Sequence, residues 1–521
     1  MRPPLSASFA TTVVGFAEQT PRPRYPIKWR ALKRRLWSAS LKRIALVTPP
    51  YHSGVVETAG TWPNVAFVYI AGALRAAGFE PLIYDAMTMN HSVEDIAVEL
   101  ERMKPDVVLT SCYTPSLPAG IKLLEVAKEV LPGVITGIGG VHAHFMWNEV
   151  LTRHGDAVDF VVRGEGEVTT PELMECLEAG GDLSNVAGIA YRRDDVAFAT
   201  PARPFVHDLD ALPAAWDLVD WDLYRFYPLP DRRLAVMSTS RGCDQSCTFC
   251  SQQVFWERSW RARSAEAVVA EMEMLRDRFG VGVAMFSDET PTLDAARWHK
   301  MLDLLIERDV GMHILMETRV NDVLRDEAIM PRYKQAGIEH IYVGVERTDQ
   351  ATLDLFKKNS DVLMGKKAID LINTNDMISE TSMVLGLPTD TPETIKATFD
   401  LAVHYNPDLA FFLTIAPWPY ADMYDELKPH IVSYDYEDYN LVAPVVKPTA
   451  METDELMTMI IDCYRNFYMA KLKQVPFMTK SKRDYFVITM KLLMENSYLK
   501  QYMGGLGTMP KEVDALLKKW L

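Results

Sequence analysis

The sequence predicts an α/β protein: a doubly wound parallel sheet, then a partial barrel of six β/α units, then a mostly helical C-terminal segment. The first observation is that short apolar runs alternate with helical patterns through two long stretches of the 521 residues. The second is that glycines or charged residues follow most of the predicted strands, where ligands of such sheets bind. The third is that no run of 18 apolar residues occurs, so no membrane-spanning helix is expected.

Composition narrows the class of protein further. The chain is 48% hydrophobic and 24% charged, which is typical of a globular protein. Its formal net charge of −15 argues against nucleic acid as a partner. Six cysteines are too few for a disulfide scaffold, and three of them fall within eight residues. That spacing indicates metal binding in a reducing compartment and predicts a cytoplasmic protein.

Residues 1–42 form a separate, basic extension. Nine Lys or Arg and no Asp or Glu occur from Arg22 to Arg43. Trp29, Leu32 and Leu36 recur at roughly helical spacing among them. The favoured interpretation is a solvated extension, and the second is a basic amphipathic helix that makes peripheral contact with an anionic membrane. A cleaved transit peptide is the third interpretation.

Residues 43–185 are predicted to form the first α/β domain, followed by a linker over 186–230. The predicted strands are 44–47, 81–84, 106–112, 134–138 and 160–163, and the predicted helices between them include 67–77, 93–103 and 117–131. Five strands with intervening helices imply a flavodoxin-like or Rossmann-like parallel sheet that is covered on both faces. No GxGxxG follows the first strand, which disfavours a dinucleotide.

The loops at the carboxyl ends of these strands are the candidate ligand site. Gly139 and Gly140 would let a bulky group approach the backbone closely. The domain resembles the cobalamin-binding domain that precedes the barrel in many radical enzymes. That resemblance implies cobalamin contacts from Ser53, Gly54, Asp85, Ser111, Gly139, Gly140, His142, Glu165 and Gly166.

The cobalt ligand of the better-known cobalamin domains has no counterpart in the matching stretch. Those domains supply a histidine from a DxHxxG loop, whereas the stretch that begins at Asp85 lacks both the histidine and the glycine. We therefore expect that this loop does not ligate cobalt. An α/β domain without a cofactor is the alternative.

The strongest signal is Cys243, Cys247 and Cys250, with the spacing C-x3-C-x2-C. Three thiolates on one tight loop can ligate three irons of a [4Fe-4S] cluster and leave the fourth iron open to S-adenosylmethionine. A structural zinc site is the alternative, but it usually needs a fourth ligand, and none lies close by in sequence. The spacing, with Phe249 before the last cysteine, is typical of the radical S-adenosylmethionine family. Membership implies a 5′-deoxyadenosyl radical and an external electron donor such as flavodoxin or ferredoxin.

Residues 231–434 are predicted to form the TIM-like (β/α)6 partial barrel, and 435–521 the helical segment that caps its open side. The predicted barrel strands are 234–238, 283–286, 314–318, 341–345, 381–385 and 410–415. By resemblance, S-adenosylmethionine would be held at the strand ends by Phe249, Asp288, Glu289, Arg319, Glu346, Gly386 and Pro388. For each of these residues, an ordinary place on the barrel rim is the alternative.

A closer resemblance covers most of the chain. The matching stretches include 163–167 (RGEGE), 241–252 (RGCDQSCTFCSQ), 288–292 (DETPT), 417–419 (PWP) and 447–451 (KPTAM). They resemble the anaerobic magnesium-protoporphyrin IX monomethyl ester oxidative cyclases. The resemblance implies hydrogen removal from an unactivated carbon of a tetrapyrrole, then oxidation, addition of water and ring closure. Phe255, Trp256, Trp418 and Tyr420 would pack on the macrocycle, with core packing as the alternative.

Two features depart from that family's pattern. Glu346 is followed by Arg347 and Thr348 rather than by small residues, and the basic extension is not typical. Two other functions therefore stay open. One is a cobalamin-dependent radical methyltransferase that acts on another hydrophobic small molecule. The other, of a different class, is a non-catalytic iron–sulfur or cobalamin sensor.

Overall fold

The computed structural model describes residues 41–52, 60–346, 350–357 and 362–496. The predicted cobalamin contacts Ser53 and Gly54, the basic extension up to residue 40, and Arg347 and Thr348 lie outside the described residues. A search of the described helices finds none that is both long and apolar enough to cross a membrane.

The first sheet has seven strands in the order β2-β1-β3-β4-β5-β6-β7. They are β1 (Arg43–Thr48), β2 (Glu80–Asp85), β3 (Val107–Ser111), β4 (Ile135–Gly139), β5 (Phe160–Val162), β6 (Ile189–Arg193) and β7 (Val196–Ala199). The first five strands run parallel, which confirms the predicted doubly wound sheet. The last two form an antiparallel hairpin at the edge, so the stretch expected to be a linker begins inside the sheet.

The helices on this sheet begin at recognisable capping residues. They are α1 (Val65–Ala76), α2 (Val93–Met103), α3 (Leu117–Val130), α4 (Val141–His154) and α5 (Gly166–Glu178). The side chain of Asn64 accepts from the backbone N–H of Phe67, and Ser92 forms a capping box with Asp95. Because β1 lies between β2 and β3, the strand order reverses there, and a crevice opens at the carboxyl ends.

The second sheet has six parallel strands in the order β15-β14-β13-β12-β11-β8, which confirms the predicted partial barrel. They are β8 (Arg233–Met237), β11 (Val281–Phe286), β12 (His313–Thr318), β13 (Ile338–Val343), β14 (Ile378–Leu385) and β15 (Leu409–Thr414). A two-stranded ribbon of β9 (Ser240–Gly242) and β10 (Trp260–Ala262) encloses the cysteine loop and the short helix α6 (Ser251–Phe255).

Further helices connect and cover the barrel strands. They are α7 (Ala265–Phe279), α8 (Ala295–Glu307), α9 (Val320–Arg325), α10 (Met330–Gln335), α11 (Gln350–Leu355), α12 (Val362–Thr374), α13 (Pro392–Tyr405) and α14 (Tyr424–Leu427). The C-terminal segment adds α15 (Thr453–Leu472) and α16 (Lys480–Asn496).

Helix α15 protects the edge strand β15. The hydroxyl of Tyr464 accepts from the N–H of Phe412 at 3.0 Å, and that of Tyr468 donates to the carbonyl of Ala410 at 3.1 Å. An unprotected edge strand presents free backbone groups that invite pairing with another chain. The helix therefore covers this edge of the barrel sheet.

Buried polar contacts join the first sheet to the barrel. Tyr224, from the connecting stretch, donates its hydroxyl to Asp85 at the end of β2, at 2.9 Å. The indole of Trp216 donates to Glu271 on α7 at 2.7 Å. Buried polar groups cost free energy unless they are paired, so these contacts favour one arrangement of the two sheets.

Candidate active site

A cavity lies between the carboxyl end of the first sheet and the mouth of the half barrel. Its sheet wall includes six small residues at or near the strand ends: Ser111, Gly137, Gly139, Gly140, Gly164 and Gly166. Its barrel wall comes from the start of the cysteine loop and its surroundings: Ser238, Ser240, Arg241, Phe255, Trp256 and Glu289. Doubly wound sheets and β/α barrels both bind ligands at these ends, so one cavity serves both.

The structure brings most of the predicted cobalamin contacts to this cavity. Ser111, Gly139, Gly140, Glu165 and Gly166 line it. Asp85 does not, because its carboxylate accepts from the hydroxyls of Thr48 at 2.5 Å and Tyr224 at 2.9 Å. His142 is also turned away, fully buried, with Nδ1 3.0 Å from the hydroxyl of Thr114. Asp85 and His142, which the sequence also predicts as cobalamin contacts, therefore do not line this cavity.

The adjacent residues Gly139 and Gly140 have different structural roles. Gly140 has φ +92°, and a Cβ there would lie 2.5 Å from the carbonyl oxygen of Cys112. Gly140 therefore lets the ends of β3 and β4 pack closely. A Cβ at Gly139 would meet nothing nearer than atoms of Val162 at 3.7 and 3.8 Å. Gly139 is thus the position of the pair that leaves room for a ligand.

A buried ion network ties the first domain to the cysteine loop. Arg241 donates to Glu165 and to Glu167, each at 2.6 Å. Arg261 donates to both carboxylate oxygens of Glu165, at 3.0 and 3.1 Å. Two arginines and two glutamates balance in charge, which offsets the desolvation cost that burial imposes on each ion. Glu165, predicted as a cobalamin contact, is therefore held mainly by protein.

The three motif cysteines share one loop between β9 and α6. Burial raises the pKa of the Cys250 thiol to about 12, and the nearby thiols of Cys243 and Cys247 act in the same direction. The backbone N–H groups of Gln252 and Gln253 act in the opposite direction. Among the described residues, no three His, Cys, Asp or Glu side chains gather closely enough to hold a single metal ion. The three thiols nevertheless lie near enough to interact.

Asp288 and Glu289 are adjacent in sequence but make different contacts. Asp288 is buried and accepts from the N–H and hydroxyl of Thr239 at 2.8 and 2.7 Å, and from the N–H of Ser240. Burial raises the pKa of Asp288 to about 6. Glu289 lines the cavity and accepts from the indole of Trp256 at 2.8 Å and the N–H of Gly242 at 3.1 Å. Within the described cavity, therefore, Glu289 is the member of the pair that can meet a ligand.

Arg319 and Glu346 lie at the ends of neighbouring barrel strands. Arg319 donates to Asp244 on the cysteine loop at 3.0 Å and to Asp322 at 3.1 Å. It also interacts electrostatically with Cys243, which places it beside the loop. Glu346 is buried and has φ +61°, a conformation that is uncommon outside glycine. Both residues are near the barrel mouth, where the sequence predicts them to act.

The turn after β14 carries Gly386 and Pro388. Gly386 has φ +85°, and its N–H donates to Asp390 at 2.9 Å. The carbonyl of Pro388 accepts from the N–H of Thr449 at 2.9 Å, which ties the turn to the C-terminal segment. Phe249 packs against Phe356, with ring centroids 4.6 Å apart.

The four predicted macrocycle contacts divide into two groups. Phe255 and Trp256 line the cavity, although Phe255 is largely buried. Tyr420 stacks on Phe145 at 4.7 Å and hydrogen-bonds Thr114 at 2.8 Å, so it packs between the domains. Trp418 packs in a separate apolar cluster. The structure therefore brings Phe255 and Trp256 to the cavity, and leaves Trp418 and Tyr420 outside its lining.

Arg241 and Tyr113 are two of the cavity residues that the sequence analysis did not single out as ligand contacts. Arg241 belongs to the cysteine motif, but its ion pairs reach Glu165 and Glu167, more than 70 positions earlier in the chain. Tyr113 directly follows the predicted strand 106–112, yet nothing in its local pattern shows that it lines the cavity. A tyrosine directly after a buried strand of a ligand-binding sheet was the available signal.

Known families match both halves of the chain. The family model described as the B12 binding domain matches residues 51–174, and that of the radical SAM superfamily matches 237–402. The anaerobic magnesium-protoporphyrin IX monomethyl ester cyclase of Rubrivivax gelatinosus is 36% identical over 474 residues, which cover 89% of this chain and 85% of that protein. The hopanoid C-3 methylase of Methylococcus capsulatus is 25% identical, and the match covers 77% of this chain and 75% of that protein.

Solved structures show the same fold. The cobalamin-dependent S-adenosylmethionine radical enzyme OxsB, with aqua-cobalamin and S-adenosylmethionine bound, superposes with a TM-score of 0.66 at 16% identity, covering 92% of this chain and 83% of that one. The methyltransferase TsrM from Kitasatospora setae, with cobalamin and a [4Fe-4S] cluster bound, gives 0.64 at 15% identity, covering 82% and 89%.

Proposed function

Because the chain belongs to the radical SAM enzymes that carry a B12-binding domain, we propose that it performs the anaerobic oxidative cyclisation of magnesium-protoporphyrin IX monomethyl ester in (bacterio)chlorophyll biosynthesis. Its cofactors are a [4Fe-4S] cluster, S-adenosylmethionine and cobalamin. The observation that supports this choice of substrate is the 36% identity to the Rubrivivax cyclase over 89% of the chain. That span takes in most of both sheets.

The described residues fit these three groups. Cys243, Cys247 and Cys250 lie on one loop with interacting thiols, as a cluster with one open iron requires. Two positions on the sheet wall leave room for a broad, flat cofactor, because a Cβ at Gly164 would meet nothing within 4 Å and one at Gly139 only Val162. We assign the cluster to the cysteine loop and cobalamin to the sheet wall.

S-adenosylmethionine is assigned to the barrel mouth. Glu289 projects into the cavity, and Arg319 and Glu346 lie at the ends of the next two strands. These are the charges that suit the ribose, amino and carboxylate groups of that molecule. When bound, the cluster and S-adenosylmethionine supply a carbon radical that can remove hydrogen from an unactivated carbon.

The residues of the chain position the bound groups relative to one another. The Arg241–Glu165–Glu167 network fixes the cysteine loop against the first sheet, so the two cofactor sites face one cavity. Phe255 and Trp256 add apolar surface beside the cavity, where a tetrapyrrole would pack. Holding reacting groups in a fixed geometry lowers the entropic part of an activation barrier.

Anaerobic turnover tests the proposal. Reconstituted protein with a chemical or flavodoxin reductant, S-adenosylmethionine and magnesium-protoporphyrin monomethyl ester should give a product that gains oxygen and loses hydrogens in the mass spectrum. In H2¹⁸O the added oxygen should carry the label, because it comes from water. Unchanged porphyrin, with S-adenosylmethionine still cleaved, would contradict the substrate assignment.

A cobalamin-dependent methyltransferase is the second candidate. The likeness to the hopanoid C-3 methylase over 77% of the chain favours it. A product that gains one CH2 would support this candidate against cyclisation. Absence of S-adenosylmethionine cleavage by cluster-loaded protein with any reductant would instead favour a non-catalytic sensor.

Leucine at Gly139 is expected to weaken cobalamin binding by about tenfold or more. Overpacking costs about 1–3 kcal/mol, and about 1.4 kcal/mol corresponds to a factor of ten. The side chain would enter the cavity, because neighbouring atoms at this position begin only at 3.7 Å. Gly139→Ala is the matched control and should bind nearly as the wild type does. Equal cobalamin affinities for Gly139→Leu and wild type would place the cofactor elsewhere.

We also propose that the basic extension docks on anionic membranes, where a hydrophobic tetrapyrrole partitions. Each basic residue near such a surface contributes about 1 kcal/mol. The full chain should co-sediment with anionic liposomes at low salt and be released at high salt, because surface attraction is screened. A truncated chain that begins at Arg43 should stay in the supernatant. Equal sedimentation of both would leave the extension as a solvated tail.

A further inference from the structure

Tyr113 is the large polar side chain that the end of β3 sends into the cavity. It lines the cavity together with Ser111 and Gly140, and 62% of its surface is free. The loop that carries it is held in place, because its backbone N–H donates to the hydroxyl of Ser116 at 3.1 Å. The ring therefore stands free in the cavity while its backbone is fixed.

Residues of the barrel lie close to this ring. Desolvation by the cavity walls raises the pKa of Tyr113, and the carboxylate of Glu289 acts in the same direction. Tyr420, which stacks on Phe145, interacts with both Tyr113 and Cys250. The phenol thus lies between the sheet wall and the barrel mouth, and it stays protonated at neutral pH.

Several other polar side chains on the sheet wall already have protein partners. Glu165 and Glu167 are ion-paired with Arg241. The hydroxyl of Thr110 donates to the carbonyl of Val47 at 2.8 Å. These groups are therefore less able than Tyr113 to contact a ligand.

None of the described histidines lines the cavity. His91 hydrogen-bonds the hydroxyl of Tyr84 at 2.7 Å, and His142 is buried against Thr114. His144 packs edge-on against Phe255, with centroids 5.1 Å apart. The described part of the chain therefore offers the cavity no imidazole as a metal ligand.

We propose that the phenol oxygen of Tyr113 faces the cobalt of bound cobalamin from the sheet side. A flat macrocycle has two faces, and one bound in this cavity would turn one face to the barrel and the other to the sheet wall. On that wall, Gly139 and Gly164 leave room for the macrocycle, and Tyr113 would supply the oxygen. The oxygen offers a lone pair, so no oxidant or reductant is needed. The inference rests on the cofactor and not on the proposed porphyrin substrate.

Electron paramagnetic resonance of the Co(II) state tests this contact. Full-length protein loaded with hydroxocobalamin and reduced should show no nitrogen superhyperfine splitting. Tyr113→His should introduce a three-line splitting, because ¹⁴N has spin 1. Labelling histidine with ¹⁵N should convert it to two lines, which separates a protein imidazole from the cofactor's own base. Tyr420→His is the matched control and should show no splitting, because Tyr420 is not part of the cavity lining.

Four results would overturn the inference. One is nitrogen splitting in the wild type, from either source. Another is stoichiometric cobalamin in Tyr113→His without splitting, and a third is splitting in Tyr420→His alone. If Tyr113→His does not retain cobalamin, Tyr113→Phe is measured instead. Loss of the phenol oxygen should change the Co(II) spectrum. A spectrum identical to that of the wild type is the fourth result that would overturn the inference. Because turnover is not measured, a failed porphyrin assay leaves this result standing.

Discussion

Alanine at Cys243, Cys247 or Cys250 is expected to abolish both the signal of the reduced cluster and the reductive cleavage of S-adenosylmethionine. Each thiolate would hold one iron, so loss of any one exposes a second iron and destabilises the cluster. The loop has no other cysteine and no histidine that could replace the lost ligand. Iron content, the low-temperature spectrum of the reduced protein and 5′-deoxyadenosine formation should all fall to background.

Cys176→Ala provides the matched control. Cys176 lies on α5 in the first domain, outside the cysteine loop, and is a free thiol like the three motif cysteines. Its replacement should leave iron content and cleavage unchanged. If all three motif variants kept their iron and their cleavage rate, the cluster would have to be held elsewhere. Loss of activity in Cys176→Ala as well would indicate general damage by the substitutions.

The cysteine loop could be predicted from sequence because its chemistry is contained in eight consecutive residues. The same holds for Gly139 and for the parallel strands, whose apolar runs are local. The hairpin of β6 and β7 was missed because its turn is Asp194-Asp195, with φ +49° and +65°. Asn-Gly or Asp-Gly at these positions would have been a stronger signal of such a turn.

The direction of a side chain at a strand end could not be predicted. Asp85 and Asp288 both follow buried strands, as ligand-binding carboxylates do. Asp85 instead pairs with Tyr224, 139 positions away, and Asp288 holds the backbone of Thr239, 49 positions away. Partners at such separations are set by tertiary packing, which a local sequence pattern does not reveal. Glu289, next to Asp288, points the other way and reaches the cavity.

Asparagine at Asp408 is expected to lower the free energy of unfolding by about 3–5 kcal/mol, as removal of one partner of a buried ion pair does. Asp408 is 4% exposed and lies 2.7 Å from Nζ of Lys482 and 3.9 Å from that of Lys471. Both lysines belong to the C-terminal helices and are less than one-tenth exposed. The variant keeps the shape of the side chain but leaves two buried ammonium groups without their counter-charge. Urea unfolding, followed by fluorescence, should show an earlier transition.

Asp400→Asn is the matched control, because Asp400 pairs with Lys396 on the exposed face of α13. Exposed pairs contribute about 0–1 kcal/mol, so its transition should hardly move.

The penalty at Asp408 should also depend on pH. Burial lowers the pKa of Lys471 to about 8, against about 10.4 in an unfolded chain. The unfolded chain binds more protons between these values, so the contribution of Lys471 to stability rises with pH across them. Above pH 8 Lys471 is mostly neutral in the fold, and loss of the Asp408 charge should cost less at pH 9 than at pH 7. A penalty equal at both pH values, or no larger than that of Asp400→Asn, would show that this charge cluster does not hold the C-terminal helices to the barrel.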